Sequence, residues 1–192
     1  DLAGRAWTWD GVGFRFIHPP VHFPYLRNDS SCVLRVEAVS GAVLLPGDID
    51  GVVEDGLVKR HASALRADVV SVPHHGSGSS STPGFVRAVA PRVALVSAGH
   101  GNRFRHPRPE VVERWARAGA TVPGTAEGGA LRVRLGRGDV PGVSGERSAH
   151  PRFWDAAARA DRVRGDAVGG GPGVPRPGSG RTGVPQLSYR LD

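Results

Sequence analysis

The stretch that most constrains this chain runs from Leu44 to Ser81, LLPGDIDGVVEDGLVKRHASALRADVVSVPHHGSGSSS. It reads as an apolar strand that stops at Gly47-Asp48, a helix of about four turns, a second apolar strand from Asp68 to Val72, and then Pro73-His74-His75-Gly76-Ser77. In an open α/β arrangement, ligands collect outside the carboxyl ends of strands. Here both strands end in groups that bind metals or move protons, so two strand ends carry one candidate site. Asp48 supplies a hard carboxylate and His74 and His75 supply borderline imidazoles, a mixture that suits zinc or manganese better than calcium.

The flanking sequence extends the same architecture. Ala6 to His18 alternates apolar and polar residues, with Asp10-Gly11 as a hairpin turn and Trp7, Trp9, Val12, Phe14 and Phe16 as inward positions. Proline breaks the segment from Pro19 to Asn28, and His18 and His22 read as ordinary loop histidines. Ser31 to Ala38 and Ala42 to Leu45 form a second hairpin around Ser40-Gly41, with Cys32 as a buried core thiol. Val52 to Leu65 has a helical apolar period, with acids early and bases late, and Asp50 stands where an N-cap is expected. Ser81-Thr82-Pro83 opens a helix over Gly84 to Ala90. Val93 to Ser97 is a buried strand, Pro109 to Ala118 a third helix ended by Gly119, and Val122 and Leu131 to Leu135 short strands. Strand, helix, strand, helix, strand is the order of layered α/β packing. Residues 1–137 therefore read as one folded unit. Residues 138–192 read as a Gly/Pro/Arg-rich tail, mostly disordered, with a short helix at 153–164.

Composition narrows the partners. The chain holds 25 Lys and Arg against 18 Asp and Glu, a net charge of +7, which favours a polyanion. One cysteine excludes an internal disulfide and a cysteine-rich zinc knuckle. No run approaches the roughly 18 apolar residues that span a bilayer, and no signal-peptide pattern opens the chain.

Two further stretches carry chemistry. Gly76 and the serines Ser77, Ser79, Ser80 and Ser81 make a donor-rich loop whose amides could hold a phosphate, or else a solvated linker. Asn102 to Pro109 combines Arg103, Arg105, His106 and Arg108, which can neutralise phosphates, with Phe104, which can stack a base.

Taken as an ordered series, Gly47-Asp48-Ile49, Ala67 to Ser77, Pro91 to Ser97 and Gly99-His100-Gly101-Asn102-Arg103-Phe104-Arg105-His106-Pro107 resemble the C-terminal half of the metallo-β-lactamase-like domain of the competence protein family ComEC, a DNA-uptake channel. Trp7 to Val12 and Asn28 to Leu34 extend the likeness upstream. The resemblance implies a partial αββα sandwich in which Asp48 bridges two cations and His74 is a terminal ligand. The adjacent His75 would point elsewhere on an extended backbone, so one of the two histidines is expected to ligate. His106 faces the same cleft as a proton donor or phosphate ligand, and Ser77, Asn102, Arg103 and Arg105 contact substrate.

The superfamily takes most of its ligands from an early His-x-His/Asp-x-Asp-His loop. No such string occurs here, so the chain is expected to be the second half of a domain, holding zinc or manganese weakly and inactive alone. The implied function is that of a metal-dependent phosphodiesterase or nuclease acting on DNA, single-stranded by expectation, during natural transformation. Its implied partners are the missing N-terminal half and the membrane channel of an inner-membrane parent, of which this is a soluble segment. The alternatives are a non-catalytic module that guides DNA, or an inactive remnant of a truncated gene.

Overall fold

The structure, a computed structural model, describes residues 2–24 and 27–152. The 153–164 helix and most of the expected tail lie outside those residues.

Six strands form one mixed sheet in the order β1-β2-β3-β4-β5-β6. β1 (Ala6–Trp9) and β2 (Val12–His18) pair antiparallel across Asp10-Gly11, both at positive φ, the conformation that a two-residue hairpin demands. β3 (Val33–Ala38) and β4 (Gly41–Leu45) continue the antiparallel half. α1 (Gly51–Leu65) then crosses over to β5 (Val69–Ser71), which pairs parallel with β4, and α2 (Pro83–Val89) crosses to β6 (Val93–Leu95), parallel to β5. α3 (Pro109–Arg117) follows. After the short α4 (Thr125–Gly128), β7 (Leu131–Arg134) and β8 (Gly142–Gly145) form a separate antiparallel pair ended by α5 (Glu146–Ala149). Ordered elements thus continue past residue 137.

The two faces of the large sheet differ. Leu44, Val70 and Ala94 align across β4, β5 and β6, are each 0% exposed, and join one core cluster with Val53 and Leu57 of α1, Phe85 and Val89 of α2, and Trp115 of α3. On the opposite face, Trp7, Phe14, Val36 and Val43 align in register, with Phe16, Leu34 and Leu45 beside them. Trp7 is 45% exposed and Leu45 40%; the others are half-buried. The expected inward set Trp7, Trp9, Val12, Phe14 and Phe16 is therefore not core, because no helix among the described residues lies over this part of the sheet. Trp7 instead stacks on Phe14 with centroids 5.0 Å apart.

Three more expectations change. Cys32 is exposed, because β3 begins one residue later and its core position goes to Val33, at 0%. His18 is the last residue of β2 rather than a loop residue, and it is fully buried. Its Nε2 donates to the Asp29 carbonyl at 2.7 Å, while its buried Nδ1 has no partner among the described residues. Glu54 reads as an exposed helix-dipole acid, yet it is 0% exposed between α1 and α2, accepting from the Ser81 amide at 2.5 Å and the Thr82 amide at 2.6 Å. Burial raises its pKa, against the opposing effect of those two amides. No helix among the described residues is long and apolar enough to cross a membrane.

Candidate functional site

The carboxyl ends of β4 and β5 are tied together by backbone. Gly47 has φ +65°, and a Cβ there would lie 2.8 Å from that of Ser31, so the turn requires glycine. Its carbonyl accepts from the His74 amide at 3.0 Å, while the Ser31 hydroxyl accepts from the Asp48 amide at 3.2 Å. The Gly-Asp turn and the His-His turn are thereby one rigid unit.

Pro73–Gly76 is a single 3-10 turn in which His74 and His75 both adopt left-handed φ, 49° and 54°. Non-glycine residues rarely sit there, and consecutive cases mark a backbone held by its surroundings. The turn departs from the extended geometry that would send His75 away from the site. The His75 Nε2 lies 3.7 Å from the Asp48 Oδ1, with both side chains about half exposed. The His75 Nδ1 is 2.7 Å from the Ser97 carbonyl, which can only accept. Nδ1 therefore carries a proton, and in the neutral ring the Nε2 lone pair faces Asp48.

His74 turns the other way. Its Nδ1 donates to the Asp50 Oδ1 at 2.9 Å and its Nε2 accepts from the Asn28 Nδ2 at 3.1 Å. Asp50 holds the N-cap position of α1 but makes no side-chain cap bond; its carboxylate also accepts from the Ser79 hydroxyl at 2.7 Å. The Asp29 carboxylate in turn accepts from the Asp50 amide at 3.3 Å. A carboxylate that fixes an imidazole tautomer is the usual outer support of a ligating histidine. Asp50 thus serves the site instead of capping the helix, a role that its N-cap spacing concealed.

His106 completes the rim. Its ring lies 6.0 Å from that of His74 and stacks on Phe104 at 5.8 Å. Asn102 fixes its backbone from both sides, donating to the His106 carbonyl at 2.6 Å and accepting from the His106 amide at 3.0 Å. Gly76 packs directly on Pro107, where a Cβ would meet the proline ring at 2.6 Å, and its carbonyl accepts from the Arg108 amide. Burial lowers the His106 pKa, and the neighbouring His74, Arg108 and His75 lower it further. Arg103 stands over Phe104 at 4.7 Å. Arg105 is exposed on the same loop.

The serine loop is arranged differently from the expected phosphate cradle. The amides of Ser77, Ser79, Ser80, Ser81 and Thr82 donate to protein acceptors, among them the His74 carbonyl and the Glu54 carboxylate. The Ser77 hydroxyl pairs with that of Ser79 at 3.0 Å. This loop braces the His-His turn against α1.

For a divalent ion, the donor set fits in part. Two donors 3.7 Å apart can both lie within the ~2.0–2.2 Å bond length of one ion. Among the described residues, no group of three His, Cys, Asp or Glu side chains is placed to hold one.

No protein-family model matches the chain. Several curated proteins do. The chain is 40% identical over 138 residues to the "Competence protein ComA" of Neisseria gonorrhoeae, a match covering 72% of this chain and 20% of that protein. It is 34% identical over 133 residues to "Recombination protein 2" of Haemophilus influenzae, covering 69% and 16%. It is 31% identical over 121 residues to the "ComE operon protein 3" of Bacillus subtilis, covering 63% and 16%. The match thus spans a fifth or less of the length of these relatives. Agreement at 31–40% identity across three proteins of this type shows that the chain belongs to the ComEC-type competence family.

Proposed function

We propose that this chain is the part of a metal-dependent phosphodiesterase or nuclease domain that carries Asp48, His74, His75 and His106, working on DNA during its uptake. The observation that carries this reading is the Asp48–His75 pair, 3.7 Å apart, with the histidine tautomer set so that a lone pair faces the carboxylate. The names of the relatives, competence and recombination proteins, support the DNA-uptake setting.

In this reading Asp48 and His75 hold a divalent ion, zinc or manganese, and Asp50 presents His74 to the same region. When bound, such an ion polarises a phosphoryl oxygen. The protein's own groups do the rest. His106, whose pKa is lowered by burial and by the neighbouring His74, Arg108 and His75, accepts or delivers a proton at the phosphodiester oxygen. Arg103 and Arg105 neutralise flanking phosphates.

The finer fold reading also belongs here. An aromatic sheet face left open over β1–β4 is the surface on which a second sheet packs in an αββα sandwich, with the two sheets about 10 Å apart. The half-domain boundary near residue 137 shifts outward in this reading, since β8 pairs with β7. A channel-forming parent in the membrane is part of the same proposal.

The test compares this chain with a full-length family member carrying the same residues. Both are assayed for manganese- or zinc-dependent hydrolysis of bis(4-nitrophenyl) phosphate and single-stranded DNA. The full-length protein is expected to hydrolyse both and to lose activity on Asp48→Ala, and the 192-residue chain to show none. A full-length protein that binds DNA without hydrolysis would favour the guiding-module reading.

A further inference from the structure

A cleft of about 740 Å³ lies between the loop from Ser97 to His106 and the turn from Thr125 to Ala130, with Arg147 at its edge. His75 and Ser97 form one end of it, so it opens beside the Asp48–His75 pair. Its volume is that of a small-ligand site, which is about 300–1,000 Å³. One wall is Phe104. That ring is 58% exposed, is held nearly parallel to His106 at 15°, and carries the Arg103 guanidinium 4.7 Å from its centroid.

Several polar groups around the cleft are spent within the protein, while the buried His106 Nδ1 has no partner among the described residues. Asn102 donates to the Gly99 and His106 carbonyls, the Thr125 hydroxyl bridges the amide and carbonyl of Ala98, and the His75 Nδ1 donates to Ser97. A pocket so arranged offers surface and an aromatic wall rather than a donor–acceptor code. Such a site suits an aromatic group that is recognised by its faces alone, and every nucleobase has those faces. A duplex hides them in its own stack.

We infer that this cleft takes one unpaired nucleobase of the strand whose phosphate lies at Asp48–His75, whichever base it is. The inference rests on the nucleic-acid reading of the site. Arg103, exposed beside Phe104, meets a phosphate that flanks that base.

The test is fluorescence anisotropy of the 192-residue chain, with manganese present, on three labelled hexamers at one low salt concentration: oligothymidylate, oligodeoxyadenylate, and the same sugar-phosphate backbone without bases. The two base-bearing strands are expected to bind within about threefold of each other, and the abasic strand roughly 5- to 100-fold more weakly, the range for one lost base stack. Phe104→Ala, and Ala130→Trp, which fills the cleft, should each erase most of that difference, while Phe104→Trp keeps it. Residues 104 and 130 are both exposed, so folding is spared. Equal binding of the abasic strand, strong preference for one base, or an unchanged difference in Phe104→Ala and Ala130→Trp would overturn the base pocket and leave the phosphate site standing. Failure of all three strands to bind would overturn the nucleic-acid reading of the site itself.

Discussion

On one face of the six-stranded sheet, Leu44, Val70 and Ala94 are sealed beneath three helices; on the other, across β1–β4, Trp7 and Leu45 stay exposed in a row of aromatic and branched residues. Both faces carry apolar rows, yet among the described residues only the first is covered by helices. The difference teaches that the helix-covered side stabilises itself, whereas the aromatic side is left uncovered among the described residues, where the proposed reading seats a second layer. Exposed apolar area of this kind marks an interaction surface. The candidate-site turns at Gly47-Asp48 and Pro73–Gly76 follow β4 and β5, whose Leu44 and Val70 lie in the helix-covered core.

The comparison breaks most readily at its strongest point. Leu44→Ala should cost about 2–5 kcal/mol in urea unfolding, because it empties a fully buried site. Trp7→Thr, on the open face, should cost about 1 kcal/mol or less and reduce self-association seen in sedimentation. Similar losses at both positions would mean that the open face is closed in solution.

Glu54 probes the covered side more finely. Glu54→Gln should cost about 1–3 kcal/mol, since an amide cannot accept from both the Ser81 and Thr82 amides. Its pKa is raised from 4.5 in the folded state, so the folded protein holds the proton to higher pH than the unfolded chain. The stabilisation from that proton is complete below the unfolded value and is lost as pH rises through the folded one. Unfolding free energy measured against pH should decline across that window in the native protein and flatten in Glu54→Gln.

Much of this was legible from residue patterns. The alternation before His18, the helical period after Asp50 and the proline starts of α2 and α3 are local signals, and the structure carries each of those elements. What stayed hidden depended on tertiary placement. Trp7 and Trp9 have the right period for a core strand, but period cannot say whether a layer lies over it. Asp50 has N-cap spacing, and only the approach of His74 from the next strand redirects its carboxylate. The placement of His75 stayed hidden because left-handed φ at two successive histidines has no signature in sequence. Glu54 looked like a dipole acid because its partners, the Ser81 and Thr82 amides, lie 27 and 28 residues away.

A smaller effect concerns the support of the site. Asp50→Asn should change unfolding free energy by about 1 kcal/mol or less, as its bonds are partly exposed. Nitrogen-15 NMR of the imidazoles should nevertheless show His74 losing its single Nδ1–H tautomer, while His75, held by the Ser97 carbonyl, keeps its own. A His74 tautomer unchanged in Asp50→Asn would remove Asp50 from the site.

The central claim is that Asp48 and His75 face one divalent ion. Manganese titration of this chain, followed by paramagnetic broadening of the imidazole signals, tests it without requiring activity. The account predicts that His75 broadens first, ahead of the buried His18, and that Asp48→Ala abolishes the effect at the same manganese concentration. Broadening of His75 that persists unchanged in Asp48→Ala, or that begins at other histidines, would contradict it.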